Sequence, residues 1–285
     1  EGADMLKNCR ISGFADEINR DFDVQMAVLK ELGQKYVELR SADGTSVADL
    51  TCETAAELGE RMAAAGVSVS SVGSPIGKIM ITDDFEPHFE VFRHVVELAK
   101  LWSVPNIRMF SFFMPEGEAP EKYREEVFSR IKRMVDYAAE QDVVLLHENE
   151  KEIYGDAAGR CLELMKAFYG DHFKCVFDFA NFVQCGQDTM EAYEMLKPYI
   201  AYIHIKDAVK GSGEVVLPGD GDGCVKEILT MLDGAGYQGY LSLEPHLVSF
   251  DGLEKLEKRA KERKEQDGIA AYKKAYGRLA ELLDE

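Results

Sequence analysis

The stretch Ala201-Tyr202-Ile203-His204-Ile205-Lys206-Asp207 is an apolar run that closes on a histidine and two charges. A buried strand that finishes in polar chemistry finishes at a site, because in a barrel of parallel strands the carboxyl ends carry the working residues. Three further runs end alike: Val143-Val144-Leu145-Leu146-His147-Glu148-Asn149-Glu150, Cys175-Val176-Phe177-Asp178 and Gly239-Tyr240-Leu241-Ser242-Leu243-Glu244-Pro245-His246. Working outward gives eight strand-like runs, at 9–15, 35–40, 67–73, 106–111, 143–148, 173–178, 200–205 and 239–244, each followed by a segment of helical period. Eight βα units predict an α/β fold, a single (β/α)8 TIM barrel over residues 1–285.

Helical stripes such as Val24, Ala27, Val28 and Leu32, or Ile131, Met134, Val135 and Ala138, read as core packing, and Gly33 and Gly66 read as helix ends. An extended C-terminal helical segment follows, at 252–266 and 268–284. Its second part carries Ile269, Tyr272, Tyr276, Leu279 and Leu283 along one face, read as a barrel cap with a homo-oligomer contact left open.

Lys and Arg number 33 against 52 Asp and Glu, a formal net charge of -19, which opposes nucleic acid and anionic membrane surfaces. Cys9, Cys52, Cys161, Cys175, Cys185 and Cys224 show no zinc-like spacing and read as reduced thiols. Residues 1–10 lack a hydrophobic signal core and no apolar stretch approaches the ~20 residues of a membrane span. The expected placement is cytoplasmic, with Met5 read as a natural start.

Four consecutive strands thus deliver Glu148, Asp178, His204 and Glu244 to one end of the barrel. Singly, an acid after a strand is more often a helix cap and a strand histidine more often a core residue. Together, three carboxylates in one mouth repel one another and call for a cation. The donor set is hard with one borderline nitrogen. It suits one divalent ion, Mn²⁺ first, then Mg²⁺ or Co²⁺, with Zn²⁺ kept open.

Matching stretches run from the first strand to the last: Ser12-Gly13-Phe14-Ala15-Asp16-Glu17, Ser74-Pro75-Ile76-Gly77-Lys78, His147-Glu148-Asn149-Glu150, Phe177-Asp178-Phe179-Ala180-Asn181, His204-Ile205-Lys206-Asp207 and Leu243-Glu244-Pro245-His246. The chain resembles the xylose-isomerase-like TIM-barrel superfamily of sugar isomerases and epimerases, which also holds inosose dehydratases and AP endonucleases of the endonuclease IV type. The resemblance implies that Glu148, Asp178, His204 and Glu244 bind one Mn²⁺-like ion, and that Glu148 and Glu244 also act as catalytic acid and base. The endonuclease branch needs extra histidines, whereas two of the six here, His88 and His94, fall on a helical segment. Asn181 stands where many relatives carry a histidine, in the layer behind the ligands.

A divalent ion holding a carbonyl and its neighbouring hydroxyl acidifies the intervening C–H and stabilises the enediolate. The expected function is a metal-dependent isomerase or epimerase acting on a free ketose or related polyol-derived carbonyl compound. The alternative is a lyase of the same superfamily, either an inosose-type dehydratase or an enzyme eliminating from an oxidised glycoside. Further behind stand an endonuclease-like enzyme and a sugar-binding barrel without catalysis.

Expected substrate contacts are Glu38, Arg40, Lys78, Glu150, Lys206 and His246. Lys206 is read either as polarising a substrate oxygen or as paired with Asp207 or Glu150, and His246, beside Glu244 if the strands stay extended, either as a supporting partner behind the ligands or as a proton carrier near neutral pH. His147, Trp102, Phe110 and Phe112 read as packing. The run Leu217-Pro218-Gly219-Asp220-Gly221-Asp222-Gly223 lacks a phosphate-loop ending and reads as a flexible turn; its aspartates favour an unphosphorylated substrate.

Overall fold

Residues with branched and aromatic side chains make strands where both faces are buried, and eight such segments here pair in parallel. They are β1 (Arg10–Gly13), β2 (Tyr36–Leu39), β3 (Ser68–Val72), β4 (Asn106–Met109), β5 (Val144–Glu148), β6 (Phe173–Asp178), β7 (Ile200–Ile205) and β8 (Tyr240–Leu243). The computed structural model describes residues 5–248, 250, 253 and 267–284. The hydrogen-bonded order is β1-β8-β7-β6-β5-β4-β3-β2, with β1 packed beside β2 at the seam, so the sheet is a nearly closed barrel. All eight expected strands are present, most of them shorter than their sequence windows. Among the described residues no helix is long and apolar enough to cross a membrane.

The helices are α1 (Phe22–Leu32), α2 (Cys52–Ala64), α3 (Phe85–Leu101), α4 (Arg124–Gln141), α5 (Ala158–Phe168), α6 (Phe179–Gln184), α7 (Thr189–Leu196), α8 (Val225–Gly234) and α9 (Gly268–Asp284). Gly33 ends α1 in the left-handed region at φ 71°, and Gly66 does so after α2 at φ 70°. The buried face of α1 is Phe22, Met26, Val28 and Leu29; Ala27, placed in the stripe from sequence, is exposed. On α4 the expected Ile131, Met134 and Ala138 are buried. On α9, Tyr272 and Leu279 are buried, and the Tyr272 hydroxyl donates to Gln34 Oε1 at 3.0 Å, closing the helix over the barrel. The helix expected over 252–266 lies, apart from Leu253, outside the described residues.

Strand alternation divides the core. Leu145, Phe177, Ile203, Ile205 and Leu241 pack outward with the helices, whereas Leu146, Val176, Tyr202 and Tyr240 form a separate cluster inside the barrel. A hydroxyl layer adjoins it, in which Ser70 Oγ lies 2.6 Å from Ser12 Oγ and 2.8 Å from the Tyr202 hydroxyl. One inward step further along β5, β6 and β7 come Glu148, Asp178 and His204, level with Ser242 on β8, and Glu244 follows directly after the end of β8. Two short hairpins not marked from sequence, Ser41–Ala42 with Thr45–Ser46 and Asp207–Ala208 with Val215–Val216, extend the loops after β2 and β7.

Candidate active site

Each side chain in the mouth is aimed by its strand end. Asp178 is the last residue of β6 and the N-cap of α6: its Oδ1 accepts from the Asn181 amide at 2.8 Å, which leaves Oδ2 facing the mouth. The cap and the site are therefore the same residue, one oxygen for each. Asn149 locks this corner, accepting from the Asp178 amide at 3.0 Å and donating to its carbonyl at 3.1 Å.

His204 is the centre of the group. Its Nδ1 stands 2.9 Å from Glu148 Oε1, 3.1 Å from Glu244 Oε2 and 3.7 Å from Asp178 Oδ2. Its Nε2 lies 2.6 Å and 2.9 Å from the two oxygens of Glu38, and the edge-on ring of Phe14 packs 5.3 Å away. Burial favours the neutral imidazole, but Glu148 and Glu38 outweigh it and raise His204 well above its ordinary value.

This geometry can hold a metal ion. One donor atom from each of Glu148, Asp178, His204 and Glu244 lies within 4.8 Å of the others, and all four residues are buried. Asp178 Oδ2 and Glu244 Oε2 carry no aligned hydrogen bond, although Lys206 Nζ is 3.2 Å from the first and His204 Nδ1 is 3.1 Å from the second. Buried oxygens in that condition are costly, and a cation among them removes the cost. A second cluster, Glu17, Glu244 and His246, differs: Arg40 already reaches Glu17 at 3.3 Å and Glu244 at 3.5 Å, so positive charge is in place there.

Of the residues expected to meet substrate, Glu38, Glu150, Lys206 and His246 are buried, whereas Arg40 and Lys78 are partly exposed. Glu38 is 1% exposed and sits behind His204, with both oxygens on Nε2. Arg40 holds Asp16 through two bonds of 2.8 Å in addition to Glu17 and Glu244. Lys78 pairs with Glu150 at 3.2 Å, and Glu150 with Lys151 at 2.9 Å; burial opposes the Glu150 charge, but Lys151, Lys78 and Lys206 hold it well below the carboxylate range. Lys206 Nζ lies 3.2 Å from Asp178, 3.7 Å from Glu244 and 3.0 Å from Asn181 Oδ1. Asn181 also donates to Glu148 Oε1 at 3.3 Å, so it bridges a lysine and a carboxylate from behind. His246 Nε2 is 2.8 Å from Glu244 Oε1 even though β8 has already ended and His246 has a φ of 49°. Against its burial, Glu244 is held well below its ordinary value by Lys206, His246 and His204.

Asp207, offered from sequence as a partner of Lys206, turns to the opposite side of the chain. There its carboxylate accepts from the amides of Gly219, Gly221 and Gly223 at 2.9, 3.0 and 2.9 Å, and from Ala208 at 2.9 Å. The glycine-rich run is thus a cradle for an internal anion. His147 packs as expected, with Nε2 2.9 Å from Ser111 Oγ, and burial pulls it down to about 3. Sequence reasoning put Arg108 in the fourth strand run without singling it out; its Nη1 reaches Glu148 Oε2 at 3.3 Å and its Nη2 donates to Gly73 O at 3.1 Å. A charge inside the apolar run Asn106-Ile107-Arg108-Met109-Phe110 was the available signal.

The chain belongs to the family described as xylose isomerase-like TIM barrel, whose model matches residues 26–275. It is 24% identical over 129 residues to a 3-dehydroshikimate dehydratase of Bacillus anthracis, a match covering 45% of this chain and 46% of that protein, so it spans about half the length of that curated relative. Among solved structures, a D-allulose 3-epimerase from Methylomonas sp. superposes with a TM-score of 0.76 at 14% identity, covering 99% of each chain. A probable 3-DHS dehydratase from Bacillus anthracis superposes with a TM-score of 0.69 at 19% identity, covering 82% of this chain and 92% of the other. At those identities the likeness is one of fold.

Proposed function

We propose that this protein is a divalent-metal-dependent isomerase or epimerase acting on a free ketose or a related polyol-derived carbonyl compound by proton transfer. The observation that carries the reading is the placement of Glu148 and Glu244. They arrive from β5 and β8, each with one oxygen close to His204 Nδ1, at 2.9 and 3.1 Å, and the other held by an arginine, Arg108 at 3.3 Å and Arg40 at 3.5 Å. Two carboxylates so oriented around one small space can take a proton from one side of a carbon and return one to the other.

Glu148, Asp178, His204 and Glu244 would hold the ion, and their three carboxylates favour Mn²⁺, then Mg²⁺ or Co²⁺. When bound, the ion supplies a Lewis acid that acidifies the C–H beside a carbonyl. Lys206 would donate to a substrate oxygen, a reading supported by its position beside Asp178 and Glu244 and its contact with Asn181.

The same proton abstraction begins a dehydration, and the match to a 3-dehydroshikimate dehydratase favours that as the second reading. Incubation of Mn²⁺-loaded protein in D₂O with a panel of ketoses, an inosose and 3-dehydroshikimate, followed by NMR, separates them. Deuterium at one carbon without loss of water is the expected result; water loss replaces it with the lyase. No exchange in any member of the panel overturns both. Glu148→Gln and Glu244→Gln each abolish turnover with the fold intact, and full activity in either refutes its acid–base role.

A further inference from the structure

We propose a second metal site on the outside of the barrel: Cys52, His94 and Glu97 form a Zn²⁺-binding triad that ties the first turn of α2 to α3. Cys52 is the first residue of α2, held in place by the Thr51 cap, whose Oγ1 accepts from the Thr54 amide at 3.1 Å. His94 and Glu97 are three apart on α3 and so share one face. Glu97 Oε2 lies 3.8 Å from His94 Nδ1 and 4.0 Å from Cys52 Sγ, and one donor from each residue lies within 4.8 Å of the others. Around a tetrahedral zinc with bonds of about 2.0–2.3 Å the ligand atoms stand roughly 3.3–3.8 Å apart, so the triad needs only a small contraction to close on an ion.

A separate observation prepares the histidine. His94 Nε2 stands 2.6 Å from the Leu50 carbonyl oxygen. A carbonyl can only accept, so Nε2 carries the hydrogen and Nδ1 presents its lone pair toward Cys52 and Glu97. The side chains of His94 and Glu97 are 30% and 65% exposed, which leaves room for a water as fourth ligand. A sulfur, nitrogen and oxygen set selects Zn²⁺ or Co²⁺, in contrast to the carboxylate-rich mouth. Binding releases the Cys52 thiol proton to solvent and involves no change of oxidation state.

The test is a Co²⁺ titration of the whole protein, kept reduced and already loaded with Mn²⁺. The expected result is a near-ultraviolet thiolate-to-cobalt charge-transfer band that Zn²⁺ reverses and that Cys52→Ser abolishes; the four mouth residues include no thiol, so cobalt there gives no such band. His94→Ala and Glu97→Gln, with unchanged circular dichroism, weaken Zn²⁺ binding by about tenfold or more. The proposal is overturned if the band is absent from the wild type, if it persists in Cys52→Ser, or if both helix variants bind Zn²⁺ as the wild type does.

Discussion

Glu38 and His204, 166 residues apart in sequence, meet across the barrel with both Glu38 oxygens within 2.9 Å of Nε2. The carboxylate fixes the ring so that Nδ1 faces Glu148, Glu244 and Asp178. A carboxylate behind a ligating imidazole sets its tautomer and raises its basicity. Glu38→Gln keeps the shape and removes the charge; Mn²⁺ affinity, measured by calorimetry, is expected to fall about 10–100-fold with the fold unchanged. Unaltered affinity refutes this positioning role.

Arg40 is the cation shared by Asp16, Glu17 and Glu244, and its own side chain is 11% exposed. Arg40→Met leaves three buried carboxylates short of a partner. Loss of one member of a buried pair costs about 3–5 kcal/mol, so the urea midpoint drops by a corresponding amount. Arg40→Lys recovers part of the loss, because it restores charge without the forked geometry that grips Asp16. A midpoint unchanged in Arg40→Met sinks the argument.

His88 is kept neutral. Burial, with Arg130 adding to it, pulls it down from 6.5 to about 4, and its Nε2 accepts from the Gly77 amide at 2.8 Å. As pH falls below 6.5 the unfolded chain takes up the proton first, so this contribution to stability is complete above 6.5 and is lost progressively as pH falls toward about 4. The effect is at most about 3 kcal/mol, less because the ring is partly exposed. Denaturant midpoints across this range should show a shallower acid slope in His88→Gln than in the wild type.

Two glycines give opposite expectations. A Cβ on Gly221 would lie 2.5 Å from Ala208 O and 2.6 Å from Asp207 Oδ1, whereas one on Gly234, at the end of α8, meets nothing within 4 Å. Gly221→Ala should lower stability by about 1–3 kcal/mol through crowding. Gly234→Ala should raise it by about 0.5–1 kcal/mol by restricting the unfolded chain. Thermal melts of the pair check both signs.

The barrel and the four converging residues were legible because a strand repeats every second residue: a polar group at the end of an apolar run can be assigned a face from its neighbours. Glu38 was visible as a strand-end carboxylate, but its partner was not, since contact between β2 and β7 depends on barrel diameter and side-chain reach. The same alternation that aims Lys206 into the mouth turns Asp207 away from it, so the pairing offered for the two was sterically wrong. On α1, hydrophobic identity alone gave Ala27 to the core, where the helix in fact turns Phe22, Met26 and Leu29 inward. Arg108 signalled itself by its charge, yet nothing local said that it would reach across to Glu148.

The cradle after β7 carries a further meaning. A ring of backbone amides in that part of a barrel is ordinary equipment for gripping a phosphate. Here the chain has put its own carboxylate into the ring, and Asp207 arrives with the fold before any ligand does. Four amide donors of that loop are thereby satisfied from within the chain. The loop after β7 thus takes its shape from a counter-charge the chain carries itself, supplied by the residue next to the lysine of the mouth.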